Sequence, residues 1–281
     1  MLEQAGFFLW PSIATGELNE EEIKLLKLIK PSGTILFKRN MQSFSQSREL
    51  ISKIKKHCLK NNSPFKMPFI LSIDEEGGRV SRLPPPFIRG KAALEFAEQN
   101  DLIGLEGQVL HQVFTAKGLG INCLLSPVAD ILSEPSNLVI GDRCFGRDAN
   151  KVTEFSSFVN KILMNEKIFS CAKHFPGHGN TKTDSHKELS INDVSLSQLK
   201  SREWVPFQKL IADGVPFIIS AHVIIPSLDD KNPATLSKLI LNKYLRHLIN
   251  TNLDLAFREG CIGRTGVNVM KLFYVTDMYT K

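Results

Sequence analysis

Short apolar runs alternate with amphipathic stretches along most of the chain. Several of the runs are continuously apolar, as strands buried on both faces are. We therefore predict six strands, at residues 7–10, 34–37, 69–73, 121–125, 169–172 and 217–220.

Helical patterns fill the intervals between these runs. Asn19 followed by Glu22 predicts a capped helix that ends near Ile29. Apolar residues at helical spacing predict the other helices, around Ile51–Cys58, Leu102–Val113, Val152–Ile162, Leu196–Leu210 and Thr235–Ile249.

Repeated strand–helix alternation indicates a parallel sheet with helices outside it. An open doubly wound sheet and an eight-stranded barrel both fit, but no Gly-x-Gly-x-x-Gly follows the first strand. We therefore predict an α/β TIM-type (β/α)8 barrel, whose active site lies at the carboxyl ends of the strands. No linker divides the chain before about residue 250, so we expect one barrel domain over residues 1–250.

Composition narrows the class of protein. The chain has 281 residues, 42% of them hydrophobic, which excludes a disordered chain or a disulfide scaffold. The net charge of +6 is mild and spread out, so nucleic-acid binding is disfavoured. Its five cysteines form no Cys-x-x-Cys pair. No signal peptide or membrane-spanning run is seen, and a cytoplasmic location is the expectation.

Reactive side chains cluster where the predicted strands end. Asp74 opens a stretch that contains Glu76-Gly77-Gly78-Arg79 and Arg82, and Asp130 follows the fourth run. A later loop carries Gly141-Asp142-Arg143, and the fifth run leads into Lys173-His174-Phe175-Pro176-Gly177-His178-Gly179 and then Asp184-Ser185-His186. His222 follows the sixth run. A barrel builds one active site from such strand ends.

The stretch from Lys173 to His186 resembles the signature of the β-N-acetylglucosaminidases of glycoside hydrolase family 3, the NagZ-like enzymes of bacterial cell-wall recycling. The Asp74–Arg82 segment, the 141–146 loop and residues 34–40 are similar to that family as well. The likeness covers roughly residues 5–249.

The resemblance implies a retaining glycosidase that forms a covalent glycosyl intermediate. It implies that His186 is the acid/base and that Asp184 orients it, since an imidazole titrates near neutral pH. It also implies that the aminosugar ring is bound by a second set of residues, with Asp74 accepting from hydroxyls and the cationic groups donating. That set is Asp74, Arg82, Arg143, Lys173 and His174. No cofactor and no metal is implied.

Other interpretations of the same residues are open. His174, His178, Asp184 and His186 could form a metal cluster, although no helical His-x-x-x-His is present. His222 fits a pocket or satisfied core histidine better than a catalyst.

The nucleophile departs from the family pattern. In the family the nucleophile is an aspartate that directly follows a serine or threonine, about a dozen residues after a Leu-Arg pair. Leu245-Arg246 resembles that pair, but residues 251–259 contain no Ser/Thr-Asp step. Asp277, in Thr276-Asp277, comes late, and Asp254 has no strand before it.

We therefore expect residues 251–281 to be an aberrant tail and the barrel to be incomplete, with strands 1–6 recognisable. A frameshift or insertion is the hypothesis for this tail.

The predicted activity is hydrolysis of terminal non-reducing β-linked N-acetylglucosamine, with a muropeptide or related glycan as substrate, impaired by loss of the nucleophile. The alternative is a non-catalytic aminosugar-binding remnant.

Overall fold

Short parallel strands form the centre of the molecule, and the residues at 33–36, 70–73, 123–124 and 217–220 are all buried. The computed structural model describes residue 6 and residues 8–58, 68–182 and 190–251, with the backbone of 268–270. The strands in chain order are β1 (Gly33–Leu36), β2 (Ile70–Ile73), β3 (Cys123–Leu124), β4 (Cys171–Phe175), β5 (Ser190–Ile191), β6 (Phe217–Ser220), β7 (Val223–Ile224) and β8 (Asn268–Met270).

The named strands pair only in parallel and form three sheets, the smallest of which joins β5 to β7. One sheet has the order β1-β2-β3 and a second has the order β4-β6-β8. Isolated parallel bridges at Cys123–Phe169 and Val128–Lys173 connect the β3 segment to β4. Within the described ranges no pairing joins the two outer strands of this array. Parallel α/β architecture is therefore observed, and the incomplete eight-stranded barrel stays a prediction.

Helices cover the strands on their outer side, since the strand-facing residues of the helices are buried. They are α1 (Glu20–Ile29), α2 (Phe44–Cys58), α3 (Ala93–Gln99), α4 (Leu102–Leu119), α5 (Ala149–Asn165) and α6 (Val205–Ala212). Shorter 3-10 turns lie at Lys38–Asn40 and Gly141–Arg143, a short α-helical turn at Leu196–Gln198, and π-helical segments at Leu199–Glu203 and Leu239–Leu245. In the part of the chain that the structure describes, no helix is both long and apolar enough to cross a bilayer.

The predicted start and end of α1 are confirmed. The Asn19 side chain accepts from the Glu22 backbone N–H at 2.8 Å, and the Glu22 carboxylate accepts from the Asn19 N–H at 3.0 Å. This reciprocal cap satisfies two amides that a helix start leaves unpaired. The helix ends at Ile29 because Lys30 adopts a left-handed conformation, with φ of 47°.

The first predicted strand and a later predicted helix differ from the structure. Of the first predicted strand, Phe7 lies outside the described residues and Phe8 is in a turn; the parallel bridge to Ile35 is made instead by Ser12. The pairing starts there because the Pro11 carbonyl accepts from the Ile35 N–H at 3.2 Å. The helix predicted over Leu196–Leu210 is broken, since a π-helical segment precedes α6 and Pro206, which lacks an N–H, occupies its first turn.

Apolar side chains from successive strands pack together inside the array. The buried members of this cluster are Ile35, Ile70, Cys123, Leu125, Cys171, Phe217 and Ile219. Because this interior is filled, a ligand can reach the sheet only at the strand ends, where the polar residues lie.

Candidate active site

An acid–base cluster lies where β2 and β4 end. Asp74 directly follows β2, and Lys173 is within β4. Lys173 Nζ lies 2.7 Å from Asp74 Oδ1 and 2.6 Å from Glu76 Oε1. The Lys173 side chain is 2% exposed and that of Asp74 13%, so the lysine is covered while the aspartate reaches the open side of the cluster.

Arg143 completes this cluster from the loop after β3. Its Nε lies 2.8 Å from Glu76 Oε2 and its Nη2 lies 2.9 Å from Glu76 Oε1, a two-pronged pair. Burial acts to raise the pKa of Glu76, but Lys173 and Arg143 outweigh it and hold that pKa far below its usual range. Burial acts to lower the pKa of Lys173, but Asp74 and Glu76 outweigh it and raise that pKa. All three groups are therefore charged at neutral pH.

Arg79 holds the loop that presents Arg143. Its Nε lies 2.6 Å from Asp142 Oδ1, and its Nη2 donates to the carbonyls of Leu138, Val139 and Ile140 at 2.7, 2.9 and 3.0 Å. The loop after β2 is thus fastened to the loop after β3.

Beside this cluster, Asp130 binds the residues that follow Lys173. Its Oδ2 lies 2.6 Å from His174 Nδ1, and its Oδ1 accepts from the His178 N–H at 2.7 Å. Burial acts to raise the pKa of Asp130, but its contacts with His174 and His178 outweigh it and lower that pKa.

His174 is neutral at neutral pH. Burial lowers its pKa to about 4, although Asp130 acts in the opposite direction. The contact with an ionised carboxylate assigns the proton to Nδ1 and leaves Nε2 as an acceptor. Burial therefore outweighs the neighbouring carboxylate in setting the charge of this ring.

This neutral histidine predicts a loss of stability in mild acid. Its folded pKa of about 4 lies below the unfolded value near 6.5, so the unfolded chain binds the proton first as pH falls. The contribution of neutral His174 to the free energy of unfolding is complete above about pH 6.5. It is lost between about pH 6.5 and 4, by up to about 3 kcal/mol. We expect His174→Asn, which keeps a donor for Asp130, to flatten this part of the curve of unfolding free energy against pH. Parallel curves for the two proteins would contradict the assignment.

Arg82 lies at the edge of the site without joining the cluster. Among the described residues, its guanidinium Nη1 contacts the Ser81 carbonyl at 3.5 Å, and its backbone N–H donates to Glu75 Oε2 at 2.8 Å. Glu75 is buried and also accepts from Ser81 Oγ at 3.0 Å and from the Leu83 N–H at 3.2 Å. This carboxylate fixes the backbone that carries Arg82.

Four of the candidate residues lie outside the described residues, and His222 lies within them. Asp184 and His186, predicted as the acid/base pair, lie outside the described residues, as do Asp254 and Asp277. His222 is half-buried at the end of β6, with Nδ1 2.8 Å from Thr235 Oγ1, as expected of a satisfied histidine.

Sequence reasoning assigned no role to two residues that organise the site. Glu76 joins Lys173 to Arg143, and Asp130 holds His174. Both are acidic residues that closely follow a buried strand. That position in the sequence is the feature from which a role in the site could have been predicted.

Comparison with known proteins gives a family match and β-hexosaminidase relatives. Residues 2–262 match the glycosyl hydrolase family 3 N-terminal domain. A β-hexosaminidase from Nitrosomonas eutropha is 34% identical over 264 residues, which are 91% of this chain and 71% of that protein. A β-hexosaminidase from Neisseria meningitidis serogroup C is 34% identical over 267 residues, with the same coverage of 91% and 71%.

Solved structures show the same fold. NagZ from Neisseria gonorrhoeae in complex with N-trifluoroacetyl-D-glucosamine superposes with a TM-score of 0.75 at 28% identity, over 93% of this chain and 80% of that one. A family 3 β-N-acetylglucosaminidase from Paenibacillus sp. superposes with a TM-score of 0.81 at 29% identity, over 89% of this chain and 47% of that one. The TIM-barrel-like α/β class is confirmed, and by its sequence match the chain belongs to glycoside hydrolase family 3.

Proposed function

We propose that this chain binds the terminal, non-reducing β-linked N-acetylglucosamine of a glycan and hydrolyses its glycosidic bond with retention of configuration. The observation that carries the proposal is the buried Asp74–Lys173–Glu76–Arg143 cluster at the strand ends. A fixed carboxylate beside fixed cations is suited to a polyhydroxylated ring, whose hydroxyls both donate and accept.

Each member of the cluster has a distinct role in this proposal. Asp74 accepts from ring hydroxyls, since its Oδ1 bonds to Lys173 and its side chain keeps 13% exposure at the open side of the cluster. Arg143 and Arg82 donate to hydroxyl oxygens, and His174 accepts through Nε2 while Nδ1 is held by Asp130. Lys173 holds Asp74 in place and also donates to a ring hydroxyl oxygen.

The proton-transfer part of the proposal comes from the family resemblance. His186 protonates the leaving oxygen and later activates water, and Asp184 orients its ring. The nucleophile would be an aspartate, and Asp277 is the candidate at a Thr-Asp step. A muropeptide in cytoplasmic peptidoglycan recycling is the substrate and setting that this resemblance favours.

A second function is favoured by a specific observation. Residues 251–259 have no Ser/Thr-Asp step at the family spacing, whereas the ring-binding residues are present. A chain that binds the sugar without cleaving it fits both facts.

Two measurements on the full chain separate these functions. Calorimetric titration with N-acetylglucosamine tests binding, and release of the aryl group from an aryl N-acetylglucosaminide tests hydrolysis. We expect binding together with slow turnover, because residues 251–259 hold no Ser/Thr-Asp step at the family spacing. Binding without any turnover would favour the sugar-binding function. Turnover that is abolished by both His186→Ala and Asp277→Ala would establish the hydrolase and its nucleophile. Absence of both binding and turnover would overturn the proposal.

A further inference from the structure

Two segments flank the cluster of Asp74, Lys173, Glu76 and Arg143. One is the 3-10 turn Gly141–Arg143, which presents Arg143 to Glu76. The other runs from His178 to Thr181, and it follows His174 and comes shortly before Asp184 in the chain.

One buried residue, Asn137, anchors both segments. Its backbone carbonyl bonds to the 3-10 turn, and its side chain bonds to Ile140, just before that turn, and to the second segment. Its Oδ1 accepts from the Ile140 N–H at 2.9 Å, and its backbone carbonyl accepts from the Gly141 N–H at 2.9 Å. Its Nδ2 donates to the His178 carbonyl at 2.8 Å and to Thr181 Oγ1 at 3.1 Å. The residue is 2% exposed, so the three amide contacts take place away from water.

The second segment is hydrogen-bonded to Asp130, which in turn contacts His174. The His178 N–H donates to Asp130 Oδ1 at 2.7 Å, and Asp130 Oδ2 lies 2.6 Å from His174 Nδ1. Asn137 is thus connected to Arg143 through the 3-10 turn and to His174 through His178 and Asp130.

We infer that Asn137 is a positioning residue that sets the separation between Arg143 and His174, and so the shape of the sugar-binding pocket. The inference deepens the proposed function and rests on it where the sugar is concerned. An asparagine suits the position because the amide supplies one acceptor and two donors, as the three contacts require. An aspartate has the same shape but would set a carboxylate oxygen against the His178 carbonyl.

The chain offers a matched control at the opposite end of the strands. Asn122 Oδ1 accepts from the Leu71 N–H at 2.8 Å, and its Nδ2 donates to the Phe69 carbonyl at 3.0 Å. Asn122 therefore also joins two segments through its amide, but at the amino end of β3, away from the cluster. Asn137→Asp and Asn122→Asp make the same chemical change at the two ends.

The test measures affinity for N-acetylglucosamine by calorimetry on both variants, at a temperature where circular dichroism shows them folded. We expect Asn137→Asp to weaken binding at least about tenfold, because displacement of positioned groups is costly, and Asn122→Asp to leave it unchanged. Equal affinities in the two variants would overturn the inference. If Asn137→Asp does not fold, Thr181→Val removes one acceptor of the Asn137 amide and is expected to give a smaller loss of affinity.

A second measurement does not depend on the sugar. The ring-nitrogen NMR signals of His174, assigned with His174→Asn, report its contact with Asp130. We expect them to shift in Asn137→Asp and to stay in place in Asn122→Asp. If the wild-type chain does not bind the sugar, the proposed function fails, whereas unshifted His174 signals in Asn137→Asp overturn the positioning role itself.

Discussion

Glu76→Gln is expected to lower the free energy of unfolding by about 3–5 kcal/mol, the usual cost of removing one partner from a buried ion pair. The Glu76 side chain is 3% exposed, and it faces both Lys173 and Arg143. Glutamine has the same shape but no charge, so Lys173 keeps Asp74 as a carboxylate partner while the largely buried Arg143 loses the carboxylate that it contacts. The measurement is urea unfolding at neutral pH, followed by circular dichroism.

An exposed ion pair supplies the control for this prediction. Glu49 lies 2.7 Å from Lys53 on α2, and the two side chains are 67% and 48% exposed. Because water screens such a pair, Glu49→Gln is expected to leave the unfolding midpoint essentially unchanged. Similar midpoints for the two variants would show that the Glu76 contacts are not a principal source of stability.

Asp74→Asn is expected to weaken binding of N-acetylglucosamine by roughly tenfold to a hundredfold. A hydrogen bond to a charged group contributes about 1.5–3 kcal/mol, and each 1.4 kcal/mol corresponds to about tenfold in affinity. The amide oxygen of the substituted side chain can still accept from Lys173, but its amide nitrogen cannot accept from a ring hydroxyl. Calorimetry with the free sugar measures the change.

The same substitution at a helix cap serves as the control. It separates a specific loss of sugar affinity from a general loss of folding. Asp101 Oδ1 accepts from the Gly104 N–H at 2.8 Å at the start of α4. Asparagine caps a helix about as well as aspartate, so Asp101→Asn is expected to preserve both stability and sugar affinity. If Asp74→Asn bound the sugar as tightly as Asp101→Asn, Asp74 would not be a sugar ligand.

Much of the fold could be predicted because the signals are local. The cap between Asn19 and Glu22 fixed the start of α1, and continuous apolar runs located β1, β2, β4 and β6 within a few residues. The displaced first pairing at Ser12 and the broken helix before α6 depend on how the chain packs, which periodicity does not record. Closure of the sheet likewise depends on contacts between distant segments.

The site could be predicted in part. Asp74, Arg143 and Lys173 were found through their motifs, and the structure brings all three to Glu76 or to each other. The roles of Glu76 and Asp130 could not be predicted, since a carboxylate is exposed in most positions and only its tertiary partners show that it is buried and paired. The neutral state of His174 follows from burial, which the motif does not contain.

The pairing of Glu76 with two cations also determines how the charge of this cluster depends on pH. The pKa values of Lys173 and Arg143 are raised and that of Glu76 is lowered, so none of the three changes charge between mildly acid and mildly alkaline solution. These three side chains therefore keep the same charges throughout that interval. If the activity of this family member showed a bell-shaped dependence on pH, other groups would have to account for its acidic and alkaline sides. These three residues would not be among them.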